Sequence, residues 1–166
     1  MNKTKLVNCF LSGRRKSISK YENQTEELQS KVLQKLIRQA IHTEWGQTHG
    51  FAQVNDYNSF TKTSPINTYE ELKGYIDRMR RGEKDVLWSG KVRWYAKSSG
   101  TTNDKSKFIP VSKECLQDTH YRGGTDAVAL YLGQNPRSRM FDGKALILGG
   151  SHSPNYNLPH SLVRSE

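Results

Sequence analysis

The sequence predicts an α/β chain in which helices come first, followed by a strand, a polar loop, a second strand, a further helix and a last strand. Three observations carry that reading. Apolar residues between Asn23 and Ile41 recur at three- and four-residue steps. "TYEE" at 68–71 has the form of a helix start. Two short runs rich in β-branched and aromatic residues, "KVRWYAK" and "KFIPVS", flank a segment of hydroxyls, one glycine and lysines.

In the first helix Leu28, Val32, Leu33, Leu36, Ile37, Ala40 and Ile41 share one face. Asn23 is its expected N-cap, with Glu26 in the capping-box position, and Gly46 its expected stop. The second helix opens at Thr68 with Glu71 completing a capping box. It carries Tyr69, Leu72, Tyr75, Ile76 and Met79 as an apolar stripe and ends at Gly82. Arg78, Arg80 and Arg81 then face the negative end of the helix. Ser112 can cap a third helix whose expected face is Leu116, His120, Gly123, Ala127, Leu130 and Tyr131, with Gly133 as the stop. Ala145–Leu148 reads as a buried strand, and a strand without neighbours is expected to make the isolated chain poorly soluble.

No apolar run approaches the ~18 residues of a membrane span, and the broken apolar stretch near the start is too short for a signal peptide. Cys9 and Cys115 stand far apart without metal-ligand spacing, so a reducing, cytoplasmic setting is expected. His42 and His49 have no accompanying cysteine or carboxylate cluster and read as helix-end and loop residues. No catalytic group and no metal ligand is singled out.

The net charge of +10 raises the possibility of a polyanion partner. Lys3, Lys5, Arg14, Arg15, Lys16 and Lys20 all precede the first acid, Glu22. Residues 1–22 therefore read as a basic, solvated N-terminal arm and residues 23–166 as the folded part. The alternative function is a small basic nucleic-acid-binding module using Trp45, Trp88, Trp94 and Tyr95 as stacking platforms. Concentration of the charge in the arm weighs against it.

The chemistry is concentrated in "YAKSSGTTNDKSKFIPVS", Tyr95 to Ser112. Ser98, Ser99, Thr101 and Thr102 supply hydroxyls beside Gly100, where the backbone can approach a ligand closely. Lys105 and Lys107 bring positive charge to the same place. A Walker A motif is excluded, because glycine would be needed where Lys105 stands and because the segment leads into a strand. Composition alone leaves a phosphate cradle and a polar surface turn equally open.

The stretch resembles the signature of the auxin-responsive promoter family of acyl-acid amido synthetases, within the adenylate-forming superfamily. "EWGQTHGF", "PINTYEELKGYIDRM", "GEKDVLW" and "GKALILGGS" are similar to that family's N-terminal segments in the same order. The resemblance implies a large adenylate-forming domain of which this chain is the opening part, the smaller C-terminal domain having no counterpart here. It implies that an acyl acid is activated with ATP as an acyl-adenylate and then joined to an amino acid, with Mg2+ accompanying the ATP. It also implies Ser98, Ser99, Gly100, Thr101 and Thr102 as phosphate contacts, Lys105 and Lys107 as candidates for the β and γ charge, and Leu116, His120, Gly123 and Ala127 as a candidate acyl-pocket wall. No complete catalytic cycle is expected of these 166 residues alone.

Overall fold

The computed structural model describes residues 3–98, 106–144 and 146. In chain order the helices are α1 (Lys3–Phe10), α2 (Ser12–Ile18), α3 (Lys20–Asn23), α4 (Thr25–Ala40), α5 (Glu44–Thr48), α6 (Tyr57–Thr63), α7 (Tyr69–Arg80) and α8 (Arg122–Gln134). A 3-10 turn at Phe51–Gln53 and a π-helix at Cys115–Tyr121 complete the helical segments. The strands β1 (Trp94–Lys97) and β2 (Phe108–Val111) form a two-stranded antiparallel sheet. The described part is thus mixed and mostly helical. Of the expected last strand, only Leu146 lies among the described residues, and it is exposed.

The described residues divide into two compact units, one made of 3–25 with 116–146 and the other of 26–115. In the first, Leu11, Ala129 and Leu132 are buried together, with Val7 and Val128 packed against them. The residues expected to form a solvated arm are helical here, and two of their arginines are engaged. Arg14 donates to both carboxylate oxygens of Asp126, at 2.5 and 2.7 Å, and Arg15 donates to Asn8 Oδ1 at 2.7 Å. The guanidinium of Arg14 holds the Asp126 carboxyl below the usual aspartate range, against a smaller opposing effect of burial.

Two expectations for α8 are corrected. Gly133 lies inside the helix, where a Cβ would come within 2.7 Å of Arg15 Cδ, so it provides space and not a stop. The expected face is exposed: Leu130 and Tyr131 lie outward at 45% and 46%, as do His120, Gly123 and Ala127, while Ala129 and Leu132 are buried. The π-helix explains the slip. Its i→i+5 bonds take more residues per turn than an α-helix, so a phase set at Leu116 and His120 does not continue into α8.

The second unit holds two apolar clusters. Ile37, Ala40 and Phe51 form one, with Leu33, Ile41, Trp45, Val54 and Phe60 around them. Val32 and Leu36 are exposed, so the buried stripe of α4 is narrower than its apolar pattern. Its ends also differ from expectation. Asn23 closes α3, and α4 begins at Thr25. At the other end α4 stops at Ala40, because Thr43 competes for the backbone. The buried Thr43 hydroxyl donates to the Ala40 carbonyl at 2.7 Å and accepts the Gly46 N–H at 3.0 Å, capping α5. Gly46 is therefore the close-approach residue of α5, since a Cβ there would lie 2.0 Å from the Ala40 oxygen.

The second helix follows its sequence. The Thr68 N–H donates to Glu71 at 2.6 Å, the Thr68 hydroxyl accepts the Glu71 N–H, and Gly82 ends the segment at φ 96°. Met79 is buried with Val86 and Val92, the second cluster, with Tyr75, Leu87, Trp88 and Tyr95 around it. Arg78 does more than face the helix end. It donates to both oxygens of Glu44, at 2.9 and 2.5 Å, and to Glu83 at 2.9 Å, holding both carboxyl groups below the usual range. The first two N–H groups of α5 donate to the Asp85 and Val86 carbonyls, at 2.8 and 3.1 Å, so α5 is fixed to the turn after α7.

Gly46→Ala is expected to destabilise the chain by about 1–3 kcal/mol, the cost typical of overpacking, seen as an earlier urea midpoint. Asp126→Asn should cost about 1 kcal/mol at neutral pH, discounted for the partial exposure of the pair. Because the Asp126 pKa is depressed on folding, its contribution is complete above the ordinary value of about 3.9 and is lost as pH falls through the lower folded value. The asparagine variant should therefore show a shallower loss of stability below about pH 4.

Candidate functional site

The candidate site grows from the β1–β2 pair. Trp94 pairs with Val111, Tyr95 with Pro110, Ala96 with Ile109 and Lys97 with Phe108. Strand alternation places Tyr95, Lys97, Phe108 and Pro110 on one face and Trp94, Ala96, Ile109 and Val111 on the other. The Tyr95 ring packs against the Met79, Val86 and Val92 cluster. Burial pushes its phenol up to about 12, opposed by the nearby charge of Arg80, and its hydroxyl donates to the Val92 carbonyl at 3.3 Å. Trp94 and Ile109, on the opposite face, are about half exposed. Pro110 is tolerated because a two-stranded sheet has only edge strands.

One residue beyond the strands, Ser98 and Lys107 close the base of the loop with two hydrogen bonds. The Ser98 N–H donates to the Lys107 carbonyl at 2.9 Å, and the Ser98 hydroxyl accepts the Lys107 N–H at 3.1 Å. As an acceptor, that hydroxyl keeps its own hydrogen for donation elsewhere. Ser98 and Lys107, two of the expected phosphate contacts, are thus brought side by side. Ser99, Gly100, Thr101, Thr102 and Lys105 lie outside the described residues.

Helix α7 supports the returning limb at both ends. The Tyr69 hydroxyl accepts the Phe108 N–H at 2.9 Å, and the Lys107 ammonium lies 5.6 Å from the centroid of the Tyr69 ring. Arg80 places its guanidinium 3.7 Å from the Phe108 ring centroid. Tyr69 and Arg80 were legible only as a stripe residue and a helix-end cation. No local pattern ties Tyr69 to a partner 39 residues away.

Other expected features resolve as structural. His49 stacks on Trp45 at 3.9 Å and its Nδ1 lies 2.9 Å from the Trp45 carbonyl oxygen. Trp45 packs in the α4 cluster, and the Trp88 N–H donates to Glu114 at 3.2 Å. Two of the three indoles that a nucleic-acid-binding surface would need are therefore occupied within the fold. Within the first unit, His120, Gly123 and Ala127 are exposed and Leu116 is half-buried. Cys9 and Cys115 are free and exposed. No group of three His, Cys, Asp or Glu side chains suited to a metal ion occurs among the described residues. None of the described helices is long and apolar enough to cross a membrane.

Known proteins give the geometry a family context. The chain is 32% identical over 108 residues to jasmonoyl-L-amino acid synthetase JAR6 of Nicotiana attenuata, covering 63% of this chain and 19% of that protein. It is 34% identical over 94 residues to jasmonoyl-L-amino acid synthetase JAR4 of the same plant, covering 56% and 16%. With indole-3-acetic acid-amido synthetase GH3.15 of Arabidopsis thaliana it shares 32% identity over 93 residues, covering 55% and 16%. The chain thus spans less than a fifth of the length of these relatives. Residues 14–158 match the GH3 family N-terminal domain, a match that includes the whole loop and both strands, and the chain belongs to the GH3 family.

Proposed function

We propose that this chain supplies the phosphate-binding loop of an ATP-dependent acyl-acid amido synthetase. In that reaction the carboxylate of an acyl acid attacks the α-phosphate of ATP and releases pyrophosphate. The amine of an amino acid then attacks the resulting acyl-adenylate, releases AMP and forms the amide. The observation that carries the reading is the Ser98–Lys107 pair, two hydrogen bonds that join the ends of the signature segment between paired strands.

The donor chemistry suits a polyphosphate. The Ser98 hydroxyl, bonded as an acceptor, still has a proton to donate. Among the described residues Lys107 has no carboxylate partner. Ser99, Gly100, Thr101, Thr102 and Lys105 are proposed to complete the cradle, with backbone N–H groups and hydroxyls turned toward the anion. Mg2+ would be carried by the phosphates and water, a mode common for this ion. The relatives' names point to small acids such as jasmonate and indole-3-acetate as the substrate class, with an amino acid as acceptor. The proposed setting is the cytoplasm, where the exposed thiols of Cys9 and Cys115 would stay reduced. The complete cycle is assigned to the whole synthetase, and the loop is this chain's contribution.

Calorimetric titration with magnesium-ATP tests the reading. Weak, saturable binding is expected, and Lys107→Ala should weaken it by about tenfold or more, the loss typical of a charge-assisted hydrogen bond. No saturable binding, or equal binding by the alanine variant, would contradict it.

A further inference from the structure

Lys107 is held by contacts around Tyr69. Lys107 follows a segment rich in small polar residues, and a lysine has a flexible four-carbon stem whose charge is costly to fix in one position. A carboxylate could fix it, but would also neutralise the charge needed by an anionic ligand. The face of an aromatic ring attracts an ammonium through its quadrupole and carries no net charge.

We infer that Tyr69 is a positioning residue for Lys107, holding its ammonium with the ring and the backbone of β2 with the hydroxyl. The inference rests on the phosphate-loop reading and adds to it a residue on a different element. Two contacts from one side chain support it: 5.6 Å from ring centroid to Lys107 Nζ, and 2.9 Å from the Phe108 N–H to the Tyr69 oxygen. The hydroxyl satisfies an amide that points away from β1, so the ring is fixed relative to the same residues whose lysine it holds. Tyr69 is itself fixed as the first residue of α7, directly after the Thr68 cap. Phe108 is held again by Arg80 from the far end of the helix, so the strand cannot easily slide past Tyr69.

The two functions of the side chain are separable. Tyr69→Phe removes the hydroxyl and keeps the ring, whereas Tyr69→Leu removes both. Binding of sodium tripolyphosphate to the chain should weaken about 2- to 10-fold in Tyr69→Phe, by analogy with loss of one neutral hydrogen bond. It should weaken further in Tyr69→Leu. A double-mutant cycle with Lys107→Gln distinguishes positioning from a general loss of stability. If Tyr69 acts through the lysine, adding Tyr69→Leu to Lys107→Gln costs clearly less affinity than Tyr69→Leu alone. Urea midpoints measured alongside identify any variant that fails to fold, in which case the Tyr69→Phe and Lys107→Gln cycle decides.

Strictly additive effects, or unchanged binding in Tyr69→Phe and Tyr69→Leu, would overturn the positioning role and leave the loop reading intact. Absence of tripolyphosphate binding by the unaltered chain would overturn the loop reading and the inference with it.

Discussion

Everything proposed for this chain depends on the pairing of Ser98 with Lys107. A backbone hydrogen bond at 2.9 Å and a bond from the Lys107 N–H to the Ser98 hydroxyl at 3.1 Å join the two limbs one residue beyond the β1–β2 ladder. An isolated two-stranded hairpin is marginal in water, so this closure needs support. It comes from below, where Tyr95 lies against Met79, Val86 and Val92, and from the side, where Tyr69 and Arg80 grip Phe108. The hairpin is a small element held by a helix.

The helix is anchored in turn by charge. Arg78 joins Glu44 and Glu83, linking the start of α5 to the end of α7, and the α5 N–H groups bond to Asp85 and Val86 just beyond it. Exposed ion pairs contribute little singly. Here the fork of one arginine spans two carboxylates, and the adjacent backbone bonds fix the same junction, so their role is geometric: they set the direction of α7 under the sheet. Thr43 and Gly46 allow α5 to turn this close to α4.

Local signals in the sequence were followed closely by the structure. The Thr68 and Glu71 capping box, the Gly82 stop and both strands around the loop depend on neighbours within a few residues, and all were legible. Each failure has a physical cause. Gly46 and Gly133 look like helix stops, but each is glycine because another segment passes close by. The face of α8 slipped because seven residues before it adopt a π-helix, which no apolar period announces. Arg14 was legible as part of a charged arm, whereas its partner Asp126 lies 112 residues away. For the site, Ser98 and Lys107 could be named from the motif, while Tyr69 could not, because its relevance comes from a contact across the fold.

The proposal stands on a closed hairpin that carries a phosphate-binding segment. Two-dimensional amide NMR of the chain during an ATP titration tests it most directly. Saturable shifts are expected at Ser98, Lys107 and Phe108 with one common affinity, and little change at the α4 cluster residues Ile37 and Ala40. Unchanged amides at Ser98 and Lys107, or shifts confined to the basic residues of α2, would contradict it.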